Sequence, residues 1–238
     1  MKFINIIRYL INLFDYFQQL EILKFFKKNL GENLIFFDIG AHHGETIKFF
    51  CKNFKITEAH CFEASPLNFK ILNKNINDKK KDMVIYLNCC GIGENNYSSH
   101  INQTEESSSS TINEFNKNSK YLKKKMRILN VEGLDNFYTK VPIKIIKLDD
   151  YIIEKKIKKI DILKIDTEGF ELKVLKGLRK KNYLIKYIYF EHHYDDMIKK
   201  DYTFQDINSI LNSYGFKKVF KSKMYFRKSF EYIFKRVI

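Results

Sequence analysis

The sequence predicts an α/β protein: a doubly wound, mainly parallel sheet with helices on both faces, closed by a terminal antiparallel hairpin and preceded by an N-terminal helix. Three observations carry this. Short apolar runs of strand length alternate with segments of helical periodicity, the rhythm of a parallel sheet whose crossovers are helices. Several of the apolar runs end at an acidic residue just before a turn or a helix-start signal. A chain of 238 residues with 45% hydrophobic and 30% charged content also suffices for one sizeable core.

Taken in order, residues 3 to 28 read as a helix, because Phe3, Ile6, Ile7, Leu10, Phe14 and Phe17 recur at three- and four-residue spacing. Its apolar face packs on the core, lies at a membrane surface or forms an oligomer contact. Leu34 to Phe37 is a buried-strand run ending at Asp38, with a helix from Gly44 to about Asn53. A second strand, Thr57 to Phe62, ends at Glu63, and Ser65-Pro66 opens a helix as N-cap and first helical residue. Met83 to Leu87 is the third strand. Ile160 to Ile165 is the fourth, ending at Asp166, with Phe170, Val174 and Leu178 forming a helical stripe behind it. Leu184 to Phe190 is the fifth, ending at Glu191. Thr203 and Asp206 form a capping box for a helix that Tyr214-Gly215 closes, and strands at 216–220 and 223–227 complete a hairpin.

Residues 91 to 159 break this rhythm. They hold two lysine clusters, one strand candidate at Val141 to Leu148, and a serine run, Ser107 to Ser110, that reads as a flexible linker. So long an interruption predicts a substrate-binding insertion or a mobile lid. The chain therefore reads as a single domain, 1–238, with a helical segment at 1–30 and an insertion at 91–159.

The net charge of +15 attracts polyanions in principle. Alanine occurs only at Ala41, Ala59 and Ala64, tryptophan is absent, and Lys, Asn, Ile, Phe and Tyr dominate, so compositional bias accounts for the charge without a nucleic-acid partner. Cys51, Cys61, Cys89 and Cys90 form no C-x-x-C pair, which argues against a zinc site or a disulfide framework and for a reducing cytoplasm. Arg8 and Asp15 interrupt the apolar N-terminus, so neither a secretory signal nor a membrane span is expected there.

In a doubly wound sheet, ligands bind outside the carboxyl ends of the strands. Asp38, Glu63, Cys89-Cys90, Asp166 and Glu191 gather at that edge. The first turn, Asp38 to Glu45, spaces its glycines as G-x-x-x-G, and His42 stands where a dinucleotide fingerprint needs its second glycine. A nucleoside cofactor lacking a pyrophosphate is favoured, with Glu63 placed to accept hydrogen bonds from both ribose hydroxyls.

The loop D-I-G-A-H-H-G-E, the segment Phe62 to Pro66, Leu148-Asp149-Asp150-Tyr151 and the block Leu163 to Gly177 together resemble the FkbM family of S-adenosylmethionine-dependent methyltransferases. The Leu163–Gly177 block is the most specific. The resemblance implies the Rossmann-like fold of class I methyltransferases and O-methylation of a sugar, glycan or related precursor. It also implies roles for single positions. Asp38, Gly40, Ala41 and Gly44 match the loop that holds the methionine end of S-adenosyl-L-methionine. Glu63 matches the ribose-binding acid, and Cys90 a small residue beside the adenine. His42 stands where asparagine is often found, the serine run falls where family members often carry a serine pair facing the site, and Asp166, Glu168 and Glu191 match acidic positions at the active-site rim.

A methyl transfer to a hydroxyl needs alignment and a proton acceptor; Asp166 and His192 are the candidates for the latter. Asp166, Glu168, Glu191 and His192 also offer oxygen and nitrogen ligands for Mg²⁺, although no metal is expected. Nucleobase methylation is disfavoured, because Asp166 is followed by Thr-Glu-Gly and the only prolines are Pro66 and Pro142. An RNA ribose 2′-O-methyltransferase and a non-catalytic scaffold remain as alternatives. A sugar or glycan acceptor is the expected partner, with peripheral association of the N-terminal helix at the inner membrane face.

Overall fold

The computed structural model describes residues 18–76, 83–224 and 228–237. The expected N-terminal helix is seen from residue 18 as α1 (18–29), which buries Ile22, Leu23 and Phe26; residues 3–17 of that expectation lie outside the described residues. The main chain then runs β1 (Leu34–Ile39), α2 (Glu45–Asn53), β2 (Ile56–Phe62), α3 (Pro66–Ile76) and β3 (Val84–Asn88). After a second, smaller sheet it resumes with α5 (Leu148–Glu154), β7 (Ile160–Ile165), α6 (Glu171–Lys176), β8 (Ile185–His193), α7 (Phe204–Ser213), β9 (Phe216–Lys223) and β10 (Ser229–Arg236).

The large sheet has the order β3-β2-β1-β7-β8-β10-β9, with every strand running the same way except β10, which is antiparallel to both its neighbours. One face packs on α1, α2 and α3 through Phe26, Ile47, Phe50 and Leu72. The other packs on α5, α6 and α7 through Tyr151, Val174, Leu175, Ile207 and Leu211. Local signals set the helix starts. Ser65 Oγ accepts the Asn68 N–H at 3.2 Å, and Thr203 and Asp206 form the reciprocal capping box of α7. No helix among the described residues is long and apolar enough to cross a membrane.

Two expectations need correction. The last strand is Ser229–Arg236 rather than 223–227, of which 225–227 lie outside the described residues. Its run of Tyr232, Ile233 and Phe234 is buried because β10 inserts between β8 and β9, leaving lysine-rich β9 at the edge. The segment 91–159, where the sequence offers one strand candidate, also carries more regular structure than expected. It builds a three-stranded sheet of β4 (Gly91–Gly93), β6 (Tyr138–Lys147) and β5 (Tyr97–Thr104) in the order β4-β6-β5, together with α4 (Lys120–Ile128), which Ser119 caps.

Tight local contacts join the parts. A Cβ on Gly177, just past α6, would stand 2.1 Å from the Gly93 carbonyl oxygen, so only glycine lets α6 meet β4. Asp149, buried in α5, accepts the N–H groups of Lys180 and Lys181 at 2.8 Å each. At the start of β1, Ile35 N–H donates to Asp161 Oδ2 at 2.8 Å, across 126 residues of sequence.

Candidate active site

Strand order reverses between β1 and β7, and the carboxyl ends diverge there into a cleft of about 330 Å³. The turn after β1 shapes its floor. Gly40 has φ +84°, and a Cβ there would lie 1.8 Å from the Asp166 carbonyl oxygen. Gly40 and Ala41 donate their N–H groups to the Phe62 carbonyl at 2.9 and 3.0 Å, which fixes the turn against the end of β2. His42 follows with φ 48°, a left-handed conformation that asparagine adopts more readily than most residues. Its N–H donates to Glu63 Oε2 at 2.8 Å, while Ser65 N–H donates to Glu63 Oε1 at 2.8 Å.

Glu63 is thereby held by two main-chain donors at the end of β2. Burial pushes its carboxyl up to about 7, against the opposing pull of those donors. Gly40, Ala41, Phe62, Glu63, Asn68 and Cys90 line this end of the cleft. Burial raises the Cys90 thiol to about 11, so it is a neutral small side chain. Asp38 and Gly44 shape the site from behind. Asp38 lies within β1, fully buried, and neither of its carboxylate oxygens has a hydrogen-bond partner among the described residues. Burial raises it to about 6, with Lys164 opposing. Gly44, φ +90°, caps α2 where a Cβ would press on Leu72 and Ile76 of α3.

The other end of the cleft is acidic. Asp166, Glu168 and Glu191 line it beside Lys164, Thr111 and Phe170. Lys164, buried in β7, donates to Asp166 Oδ2 at 2.9 Å. Burial alone would lower its pKa, but Asp166, Asp38 and Glu231 outweigh burial and keep the ammonium charged. Glu168 sits at φ 50° on a tight loop. Glu171 organises that loop: its Oε1 accepts from Gly169 N–H at 3.0 Å and Thr167 Oγ at 3.1 Å, and its Oε2 from the Tyr202 hydroxyl. Burial pushes Glu168 up to about 7, with His193 opposing.

His192 does not join this group, which corrects the expectation that it shares catalysis with Asp166. Side chains alternate along β8, so Glu191 faces the cleft and His192 faces away. Its ring is buried among Tyr194, Tyr202 and Phe204, with centroids 4.8, 6.1 and 5.7 Å distant. Burial lowers its pKa to about 3, so it is neutral. The histidine on the cleft side is His193. Its Nε2 lies 3.3 Å from Glu191 Oε1 and 3.6 Å from Glu168 Oε2, and its Nδ1 lies 3.5 Å from Asp195 Oδ2. Burial disfavours its charge, yet these carboxylates hold its pKa well above the usual value.

With His192 turned away, the Mg²⁺ set read from the sequence is not assembled. The described residues instead bring the ligand atoms of His42, His43 and Glu45 within 4.8 Å of one another near the rim. The serine run is an ordered wall and not a linker. Ser107, Ser108 and Ser110 line the cleft, and Ser107 Oγ lies 2.8 Å from His42 Nε2. Sequence reasoning passed over Lys164, although a lysine inside an apolar strand was a visible signal.

The site fits a nucleoside cofactor. A glycine turn without room for a Cβ, a buried carboxylate at the next strand end and a small buried thiol face one cleft end, with acids at the other. Fold and site together define a class I methyltransferase. The methyltransferase FkbM domain model matches residues 38–218, and the chain belongs to that family. Among solved structures it is similar to methyltransferase FkbM of Methylobacillus flagellatus KT, with 17% identity and a TM-score of 0.53, over 87% of this chain and 45% of that one. The chain thus spans under half the length of that relative. It is also similar to M. capricolum TrmK in complex with S-adenosyl-homocysteine, with 12% identity and a TM-score of 0.50, over 90% of this chain and 67% of that one. Magnesium protoporphyrin IX methyltransferase of Synechocystis PCC 6803 with bound SAM shares 9% identity and a TM-score of 0.50, over 94% of this chain and 81% of that one. At these identities the likeness is one of fold. None of the curated proteins matches the sequence.

Proposed function

We propose that the enzyme methylates a hydroxyl of a sugar, glycan or related small-molecule precursor. The observation that carries this is the gathering of Asp166, Glu168 and Glu191 in the lining of the cleft, with His193 between the two glutamates. Hydroxyl groups of a sugar donate hydrogen bonds and carboxylate oxygens accept them, so such a wall suits a polyhydroxyl acceptor.

S-adenosylmethionine, when bound, supplies a methyl group activated on a sulfonium. Gly40 and Ala41 are the residues to hold its amino-acid end, Glu63 its ribose, and Cys90 its base. Asp166, oriented by Lys164, accepts the proton of the reacting hydroxyl at its carboxylate. Glu191 and Glu168 orient the neighbouring hydroxyls, with His193 fixing both carboxylates. Alignment of this kind is worth on the order of 7–11 kcal/mol, and a positioned base about 10²–10⁴-fold in rate. The test is methyl transfer from labelled donor to a panel of sugars and glycan precursors. Transfer to a sugar hydroxyl that Asp166→Asn abolishes supports the reading; transfer to an amine or a nucleobase sinks it.

We place the enzyme in the cytoplasm, near the inner membrane face where lipid-linked glycans are built. Co-sedimentation with anionic liposomes, lost on deleting residues 1–28, checks this. The net charge of +15 favours a second reading, methylation of an RNA ribose 2′-hydroxyl, and total RNA as acceptor tests it.

A further inference from the structure

Beyond the cleft, the surface continues as a polar and basic groove. Phe170 lines both the cleft and a hollow formed with Asn113, Lys173, Lys199 and Lys200. Lys199 and Glu114 carry that hollow into a depression of about 750 Å³, whose walls include His100, Asn102, Asn116, Tyr138, Lys117 and Lys140. Ile112 lines this depression and the cleft alike, so the two are neighbours across one side chain.

The sign of the charge changes along this path. The cleft end presents Asp166, Glu168 and Glu191. Past Phe170, five lysines (117, 140, 173, 199 and 200) face two carboxylates, Glu114 and Asp201. Both carboxylates are already engaged: Glu114 with Lys199 at 3.0 Å, and Asp201 with Lys173 at 3.6 Å. Lys199, and more weakly Lys140 and Lys117, hold Glu114 below the usual carboxylate range. Lys200 donates to the His193 carbonyl at the end of β8, tying the basic groove to the acidic wall.

We infer that this groove binds a phosphate or diphosphate carried by the acceptor, whose sugar hydroxyl lies against the carboxylates of the cleft. A free neutral sugar would satisfy the acids and leave three of the five lysines (117, 140 and 200) without an ion pair among the described residues. A phosphate-linked sugar satisfies both, because lysines bind phosphate as point charges while the sugar donates to carboxylates. The inference rests on the reading of the acceptor as a sugar precursor, and it narrows that class to phosphate-linked members. The phosphate source is either a nucleotide or an isoprenoid lipid.

The experiment titrates inorganic pyrophosphate, uridine diphosphate and farnesyl diphosphate into the full chain saturated with S-adenosylhomocysteine, at low and high salt. Binding of a diphosphate probe is expected to weaken with salt. It should fall about tenfold or more in Lys117→Ala/Lys140→Ala/Lys199→Ala, with S-adenosylhomocysteine affinity unchanged, as neutralising three screened charges requires. Uridine diphosphate binding tighter than pyrophosphate supports a nucleotide-linked acceptor, and farnesyl diphosphate binding tighter supports a lipid-linked one. No diphosphate binding, or equal binding by the triple variant, overturns the inference. A short single-stranded RNA that binds more tightly than every diphosphate, and loses affinity in the same variant, also overturns it. Efficient transfer to free sugars without diphosphate binding would keep the proposed function and remove only the groove's role.

Discussion

The Lys164 ammonium lies 2.9 Å from Asp166 Oδ2, two residues along the same strand end, and it is itself buried. The acid that faces the acceptor is therefore steered by a cation that also serves Asp38 and Glu231. Lys164→Met keeps the volume and removes the charge, leaving buried carboxylates without their partner. Breaking a buried pair in this way typically costs about 3–5 kcal/mol, and the urea midpoint should fall accordingly.

Cofactor affinity should depend on pH through Glu63. Its pKa is raised to about 7 by burial, and ribose hydroxyls favour the carboxylate. Binding of S-adenosylhomocysteine therefore strengthens as pH rises from 6 to 8 and levels off above that. Glu63→Gln should lower the affinity and flatten the profile in calorimetric titration. Without cofactor the sign is opposite. A carboxyl raised from 4.5 contributes stability fully present below 4.5 and lost as pH rises through about 7.

Asp166 and His192 should separate cleanly. Asp166→Asn is expected to lower turnover by about 10²-fold or more, the usual worth of a positioned base, with S-adenosylhomocysteine still bound. His192→Phe keeps the aromatic packing and should leave turnover within a few-fold. The wild-type imidazole, lowered to about 3, contributes stability present above pH 6.5 and lost as pH falls toward 3. The Phe variant should accordingly resist acid unfolding better than wild type.

Glu171→Ala should loosen the loop that carries Glu168. It removes the acceptor for Gly169 N–H, the Thr167 hydroxyl and the Tyr202 hydroxyl. Leaving buried donors without their acceptor costs about 1–3 kcal/mol, measurable by thermal unfolding. Glu168 depends on that loop for its positive φ, so turnover should fall by more than cofactor affinity does.

Much of this architecture is legible in the residues. The strands at 34–39, 56–62 and 160–165 are central, covered on both faces, and so read as continuous apolar runs. Caps at Ser65 and Thr203 mark helices by local hydrogen bonding, which needs no tertiary context. β5 reads poorly because Tyr-Ser-Ser-His-Ile-Asn-Gln-Thr is mostly polar, with its pairing to β6 supplied by distant sequence. The serine turn draws its order from His42 and Lys125, remote in the chain, so a run of four serines does not by itself distinguish a site wall from a linker. The choice between His192 and His193 was available from the strand period of two, once Glu191 was placed in the cleft.

The hydrogen bond from Ile35 to Asp161 carries a kinetic consequence. β1 emerges early during synthesis, but its neighbour on the cleft side, β7, arrives only after the second sheet has been made. Gly40 has no Asp166 carbonyl to rest on until then. Loop closure over so long a span makes the step slow. A ribosome-bound chain halted before residue 160 would accordingly expose one apolar edge of β1 and hold no cleft, and the acidic wall is complete only once β8 has delivered Glu191.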